Sequence, residues 1–144
     1  MENKLSVNFQ LLEIGTSEFA IIDTVSTDTK KLNFNVALQF GASDSNSSIL
    51  CNVIIEFISD EQKVLLKLKT DNQFKIKPED WEKFKNENIL TIPKGFLAHL
   101  AMISVGTARG ILHCKTENTI FNNFVLPLVN VASMIPEDEQ FELQ

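Results

Sequence analysis

Two histidines, two cysteines and a short acidic run are the residues of this sequence best able to do chemistry. His99 and His113 stand fourteen positions apart. On one helix that spacing separates them by about 21 Å along the axis, too far for a shared metal or a proton relay. His113 and its neighbour Cys114 point to different faces of such a helix, so they form no nucleophile pair, and both histidines are expected to be structural. Cys51, in "ILCNVII", and Cys114, in "ILHCKT", lie in apolar strings. Both read as small buried hydrophobes, not as a disulfide or metal ligands. Glu79, Asp80 and Glu82 follow Pro78 and suit the positive end of a helix. No glycine-rich phosphate loop follows a strand, and no GxSxG is present. No catalytic residue, metal site or cofactor is therefore expected, and the chain reads as a non-enzyme.

Composition narrows the classes further. The 144 residues suit one domain, and at 44% hydrophobic and 22% charged they can bury a core. The net charge of −6 disfavours nucleic acid and anionic membrane. The densest basic stretch, Lys63, Lys67 and Lys69, alternates with Val64, Leu66 and Leu68, as the wet side of a strand does. No run of 18 apolar residues suggests a membrane-spanning helix. "MENKLSVNFQ" has no signal-peptide core. A cytoplasmic location without membrane insertion is the expectation.

The elements that would position any site follow from periodicity. "LSVNFQLLEI" predicts a first strand with Leu5, Val7, Phe9 and Leu11 on one side; "GTSE" interrupts it, "FAIID" continues or restarts it, and "STDTKK" reads as a turn. Leu32 to Gly41 alternates strictly and predicts a strand with one wet face. Ile49 to Ser59 is apolar on both faces, as a central strand is. "SDEQ" connects it to a fourth strand over Lys63 to Thr70. "KPEDWEKF" predicts a short helix. Thr91 as cap and Pro93 in the first turn open a long helix, which runs to about Lys115 and is stopped by "TENT". Pro127 breaks the next stretch before a short helix over Val129 to Ile135. "PEDEQFELQ" reads as an acidic, mobile end. The fold class is α+β: a four-stranded antiparallel sheet, then a long helix and a short C-terminal helix. One domain spans 1–144, with a core over about 6–135 and a flexible tail over 136–144.

This unit holds more apolar surface than it can hide. Within the long helix, "AMISVGTARGIL" carries Gly106 and Gly110, each costing about 1 kcal/mol against alanine. With Ala98, Ala101, Ser104 and Ala108 they make a side of small residues, which lets another backbone approach closely. The expected partner is a second copy of the chain; the alternative is the chain's own sheet. Phe74, Trp81, Phe84, Phe121 and Phe124 fall in connections and short elements and are expected to line a groove for apolar peptide, against the alternative of core closure under loops.

Several short motifs then resemble, in order and spacing, the SecB family of export chaperones. "FQLLEIGTSEF" is similar to that family's opening strand. "ARG" (Ala108–Gly110) sits where its long helix carries an Arg-Gly step, and "LPLVNVASMI" resembles its final link and helix, with Pro127 and Asn130 in register. The resemblance covers about residues 6 to 135. It implies a homotetramer built as a dimer of dimers and ATP-independent capture of unfolded polypeptide clients, with a link to protein export and its motor ATPase. Where the family presents acids near the end of the first strand for that motor, this sequence has Thr16 and Ala20, with Glu18 nearby. The helix also continues past Gly110, which looks like the SecB-like branch, including chaperones of toxin–antitoxin pairs. A dedicated subunit with one cognate partner and a small-ligand binder are the alternative readings.

Overall fold

The computed structural model describes residues 6–23 and 32–144. Four long strands, β1 (Phe9–Ile21), β2 (Asn33–Ser43), β3 (Ser48–Ile58) and β4 (Val64–Ile76), form an antiparallel sheet in the order β1-β4-β3-β2. The first strand thus lies beside the fourth, and β1 and β2 are the edges. Strand β3 is central, as its two apolar faces require. Ile49, Cys51, Val53, Ile55 and Phe57 are fully buried on one face; Ile54 and Ile58 are half-buried on the other.

Strand β1 runs through "GTSE" without interruption. Its register against β4 slips after Leu11 and again after Thr16, leaving Leu12 and Ser17 as extra residues. Each bulge inverts the alternation. The face shared with Phe74, Asn72, Thr70 and Leu68 of β4 is therefore Leu11, Ile14, Thr16 and Phe19. Simple counting in twos loses that face. Leu5 and the "STDTKK" turn lie outside the described residues.

The sheet is covered on one face by α2 (Lys94–Lys115), which packs on β3 and β4. Its length, and its end just before "TENT", are as the sequence indicates. Leu97, Leu100, Ala101, Ser104, Val105, Ala108 and Leu112 are buried there. With a mean hydropathy of 1.4 over 18 residues, α2 is long and apolar enough to cross a membrane, contrary to the expectation from uninterrupted apolar runs. Those seven residues are used on the chain's own sheet. Thr91 does not cap α2: it lies in a strand, and Pro93 occupies the cap position. The open Lys94 N–H donates instead to Asp138 Oδ1 at 2.9 Å.

Asp138 comes from the segment expected to be mobile. That segment instead forms β7 (Glu139–Glu142), paired with β6 (Ile89–Ile92), which pairs in turn with β5 (Lys85–Asn86). Leu143 is buried, and its N–H donates to the Asn88 carbonyl at 2.7 Å. The charge of "PEDEQFELQ" masked its alternation: Glu139, Phe141 and Leu143 are the covered positions. After α2 a 3-10 turn (Ile120–Asn123) leads into an extended link and then α3 (Val131–Met134), capped by Asn130. Arg109, the one arginine, holds the link by donating from Nε to the Leu126 carbonyl at 2.9 Å and from Nη2 to that of Pro127 at 3.2 Å.

Helix α1 (Pro78–Lys83) is held by two carboxylates. Trp81 Nε1 donates to Asp44 Oδ1 at 2.8 Å, and Lys85 Nζ approaches the same oxygen at 3.1 Å. Asp80 Oδ2 accepts from the Asn8 N–H at 2.9 Å, tying α1 to the start of β1. The Trp81 hydrogen bond, then that of Lys85, lowers the Asp44 pKa; the Asn8 N–H chiefly lowers that of Asp80. A lowered folded-state pKa contributes stability above the unfolded carboxylate value and loses it as pH falls through the folded one. The stability gap between the native chain and Asp44→Asn is expected to stay constant above about pH 5 and to close below about pH 4, measured by denaturant titration of Trp81 emission. A gap indifferent to pH would contradict this arrangement.

Candidate docking trough

The five aromatics expected to share a groove do not come together. Phe74 lies in β4, Trp81 in α1 and Phe121 in the 3-10 turn, and all three are buried in the core. Phe84 and Phe124 are half-buried in separate ring clusters. In one, Phe9 meets Phe74 at 6.1 Å, Phe96 at 5.4 Å and His99 at 5.7 Å between ring centres, and Phe84 stacks on Phe96 at 6.3 Å. In the other, Phe57 meets Phe34 at 5.0 Å and both Phe121 and Phe124 at 5.8 Å. Register puts Phe74 across from Ile49 and Phe57 across from Leu66, at opposite ends of the sheet. The rings close the two ends of the layer under α2, which is why their positions in sequence look irregular.

The small-residue side of α2 also divides. Ala101, Ser104 and Ala108, expected at an interface with another copy, are fully buried within the chain itself; Ala98 is half-buried. Small side chains there bring helix and sheet close, and the Ser104 hydroxyl donates to the Leu100 carbonyl at 2.9 Å. Gly106 and Gly110 are exposed on another face. A Cβ at Gly106 would meet only Arg109 Nη1 at 4.0 Å, and one at Gly110 would meet nothing within 4 Å. The folded monomer does not require either glycine.

The sheet's open apolar ground lies between β1 and the flank of α2. At one end Val7, Pro93, Gly95, Phe96 and His99 border a hollow of about 500 Å³. At the other, Thr16, Gly106, Thr107, Gly110, Ile111 and Cys114 border one of about 520 Å³. Between them Leu11 and Ile14 stand 38% and 48% exposed on the helix-side face of β1. His99 at one end and Lys115 at the other are the basic side chains along the two hollows. Among the described residues no strand pairs with the outer edge of β1. The trough therefore offers apolar contact and free backbone groups side by side. A second exposed apolar spot, Val125 and Leu128, sits on the link held by Arg109.

Sequence reasoning missed Ile14, Phe96 and His99 as trough residues. The bulge at Leu12 hid the face of Ile14, and the i,i+3 pair Phe96–His99 reads as an ordinary helix flank. His99 is exposed and packs edge-on against Phe9; His113 is exposed too, and its carbonyl accepts from Asn122 at 2.8 Å. Among the described residues no three His, Cys, Asp or Glu side chains gather as metal ligands would.

No protein-family model and no curated protein matches the sequence. Among solved structures, the chain is similar to the SecB-like chaperone Rv1957 of Mycobacterium tuberculosis, solved in complex with a peptide from the HigA1 antitoxin. The TM-score is 0.53 at 7% sequence identity, covering 84% of this chain and 90% of the other. The α+β fold of this chain is therefore SecB-like: a four-stranded antiparallel sheet under one long helix with short helices after it.

The cysteines test this geometry. Cys51 is buried, and burial pushes its thiol up to about 11; Cys114 is exposed at the trough, contrary to the expectation that both are covered. Titration with a maleimide near neutral pH is expected to modify Cys114 alone in the native protein and both thiols after denaturation. Equal reactivity of the two in the native state would contradict the placement of β3 under α2.

Proposed function

We propose that this protein is a holdase-type chaperone of the cytoplasm, capturing apolar segments of unfolded polypeptide without nucleotide. The observation that carries the reading is the trough itself: an uncovered apolar channel beside an unpaired strand edge, in a SecB-like fold. An extended client laid along β1 would gain backbone hydrogen bonds from the edge and bury side chains against Phe9, Phe96 and Leu11. Each contact is weak and tolerant of sequence, so long clients gain by occupying several copies. A chaperone dedicated to one partner is the second reading; the antitoxin peptide bound to the Mycobacterium neighbour favours it.

The assembly belongs to the same proposal. Sister copies would pack on the outward α2 face around Gly106 and Gly110, where Met102 stands 60% exposed, and build a tetramer as a dimer of dimers. Clients would then use the Phe9–Phe96–His99 end.

At stoichiometric ratios and without ATP, the protein is expected to suppress aggregation of several unrelated unfolded clients, followed by light scattering. Failure with all of them would overturn the holdase reading, and protection of one cognate partner alone would transfer the case to the dedicated chaperone. Gly106→Leu is expected to lower the sedimentation coefficient while leaving the circular dichroism of the fold unchanged, since Gly106 is exposed and a Cβ there meets only the far end of Arg109 at 4.0 Å. An unchanged coefficient would remove this face from the interface.

A further inference from the structure

The open edge of β1 separates two surfaces of different chemistry. Residues of an extended strand point alternately to its two faces. Phe9 turns toward α2 and its ring cluster, and Val7 lines the hollow next to it. Gln10 pairs with Lys75 of β4 and so shares the reverse face. There Asn8, Gln10, Lys75 and Lys77 surround a hollow of about 350 Å³ that reaches Phe9.

All four of those side chains can donate hydrogen bonds, and two carry a full positive charge. Lys75 is exposed and pairs with no acid among the described residues. Lys77 has Glu79 at 3.7 Å, with both side chains largely in water, and feels the Asp80 carboxylate, which is itself paired with Lys83 at 3.4 Å. Asn8 uses its backbone N–H on Asp80 and its carbonyl on the Lys77 N–H, which leaves its carboxamide uncommitted among the described residues. A chain of net charge −6 thus keeps a cationic, donor-rich spot beside its aromatic trough.

We propose that the β1 edge selects client segments in which apolar and acidic residues alternate. An added strand must send successive side chains to opposite faces. Its apolar residues enter the trough at Phe9, and its carboxylates reach Lys75 and Lys77. Basic residues at the alternate positions meet like charge. Neutral ones leave the ammonium groups in water at no cost. This selectivity rests on the holdase reading.

The test uses the whole protein and labelled peptides with both termini blocked. The peptides share one set of apolar residues at every second position and carry Glu, Gln or Lys between them. Fluorescence anisotropy is expected to rank affinity Glu, then Gln, then Lys, with steps of about two- to fivefold, the scale exposed ion pairs supply. The steps shrink as salt is raised. Lys75→Glu with Lys77→Glu is expected to reverse the order, and Lys75→Gln with Lys77→Gln to level it, with circular dichroism unchanged in both. Equal affinities, or a preference for the Lys peptide, would overturn the proposal while leaving the holdase reading in place. A gain seen only when the Gln peptide has a free C-terminal carboxylate would also overturn it, because the side chains would then not be the source. Binding of none of the peptides would overturn both readings together.

Discussion

One helix is too narrow for this sheet, and most of the surface follows from that mismatch. A helix with its side chains is about 10–12 Å across, while strands lie about 4.8 Å apart, so α2 covers two strands of four. It covers β3 and β4, the pair whose inward faces are fully buried. Strand β2 gains partial cover from the 3-10 turn and the link, through Phe121 and Phe124 against Phe57 and Phe34. Strand β1 meets α2 mainly where Phe9 touches Phe96 and His99. The rest of its helix-side face, Leu11 and Ile14, is left open, and no strand among the described residues closes its edge.

The closeness of α2 to the sheet has its own cause. Ala101, Ser104 and Ala108 face the sheet centre, where Thr70 and Asn72 contribute buried polar groups. Thr70 Oγ1 and Asn72 Oδ1 find no hydrogen-bond partner among the described residues, while the Asn72 amide donates to the Cys51 carbonyl at 3.4 Å. The ends of the layer carry the ring clusters, Phe74 and Phe84 falling in one and Phe121 and Phe124 in the other.

A surface of this kind has a coherent use. Apolar ground beside free backbone groups favours extended, unfolded chain over a folded partner of fixed shape. Such binding needs no bond broken and no cofactor; it needs area that the monomer leaves uncovered. The exposed glycines of α2 fit the same logic from the other side, since among the described residues a Cβ at Gly106 would meet only Arg109 and one at Gly110 nothing within 4 Å.

The sequence by itself determined the strand of period two at Leu32 to Gly41, the two-sided apolar strand after it, the length of the long helix and the α+β class. These are local patterns, legible because one residue's direction fixes the next. It also carried, in short motifs, the likeness to the SecB family. What it could not carry was pairing. The neighbour of β1, the bulges at Leu12 and Ser17 that turn Ile14 and Phe19 in succession toward the helix, and the docking of β7 on β6 depend on contacts between residues far apart in the chain. The burial of Ala101, Ser104 and Ala108 but not of Gly106 and Gly110 depends on the angle at which α2 lies on the sheet. Periodicity names a face of an element. Only tertiary packing decides whether that face meets its own core or the solvent.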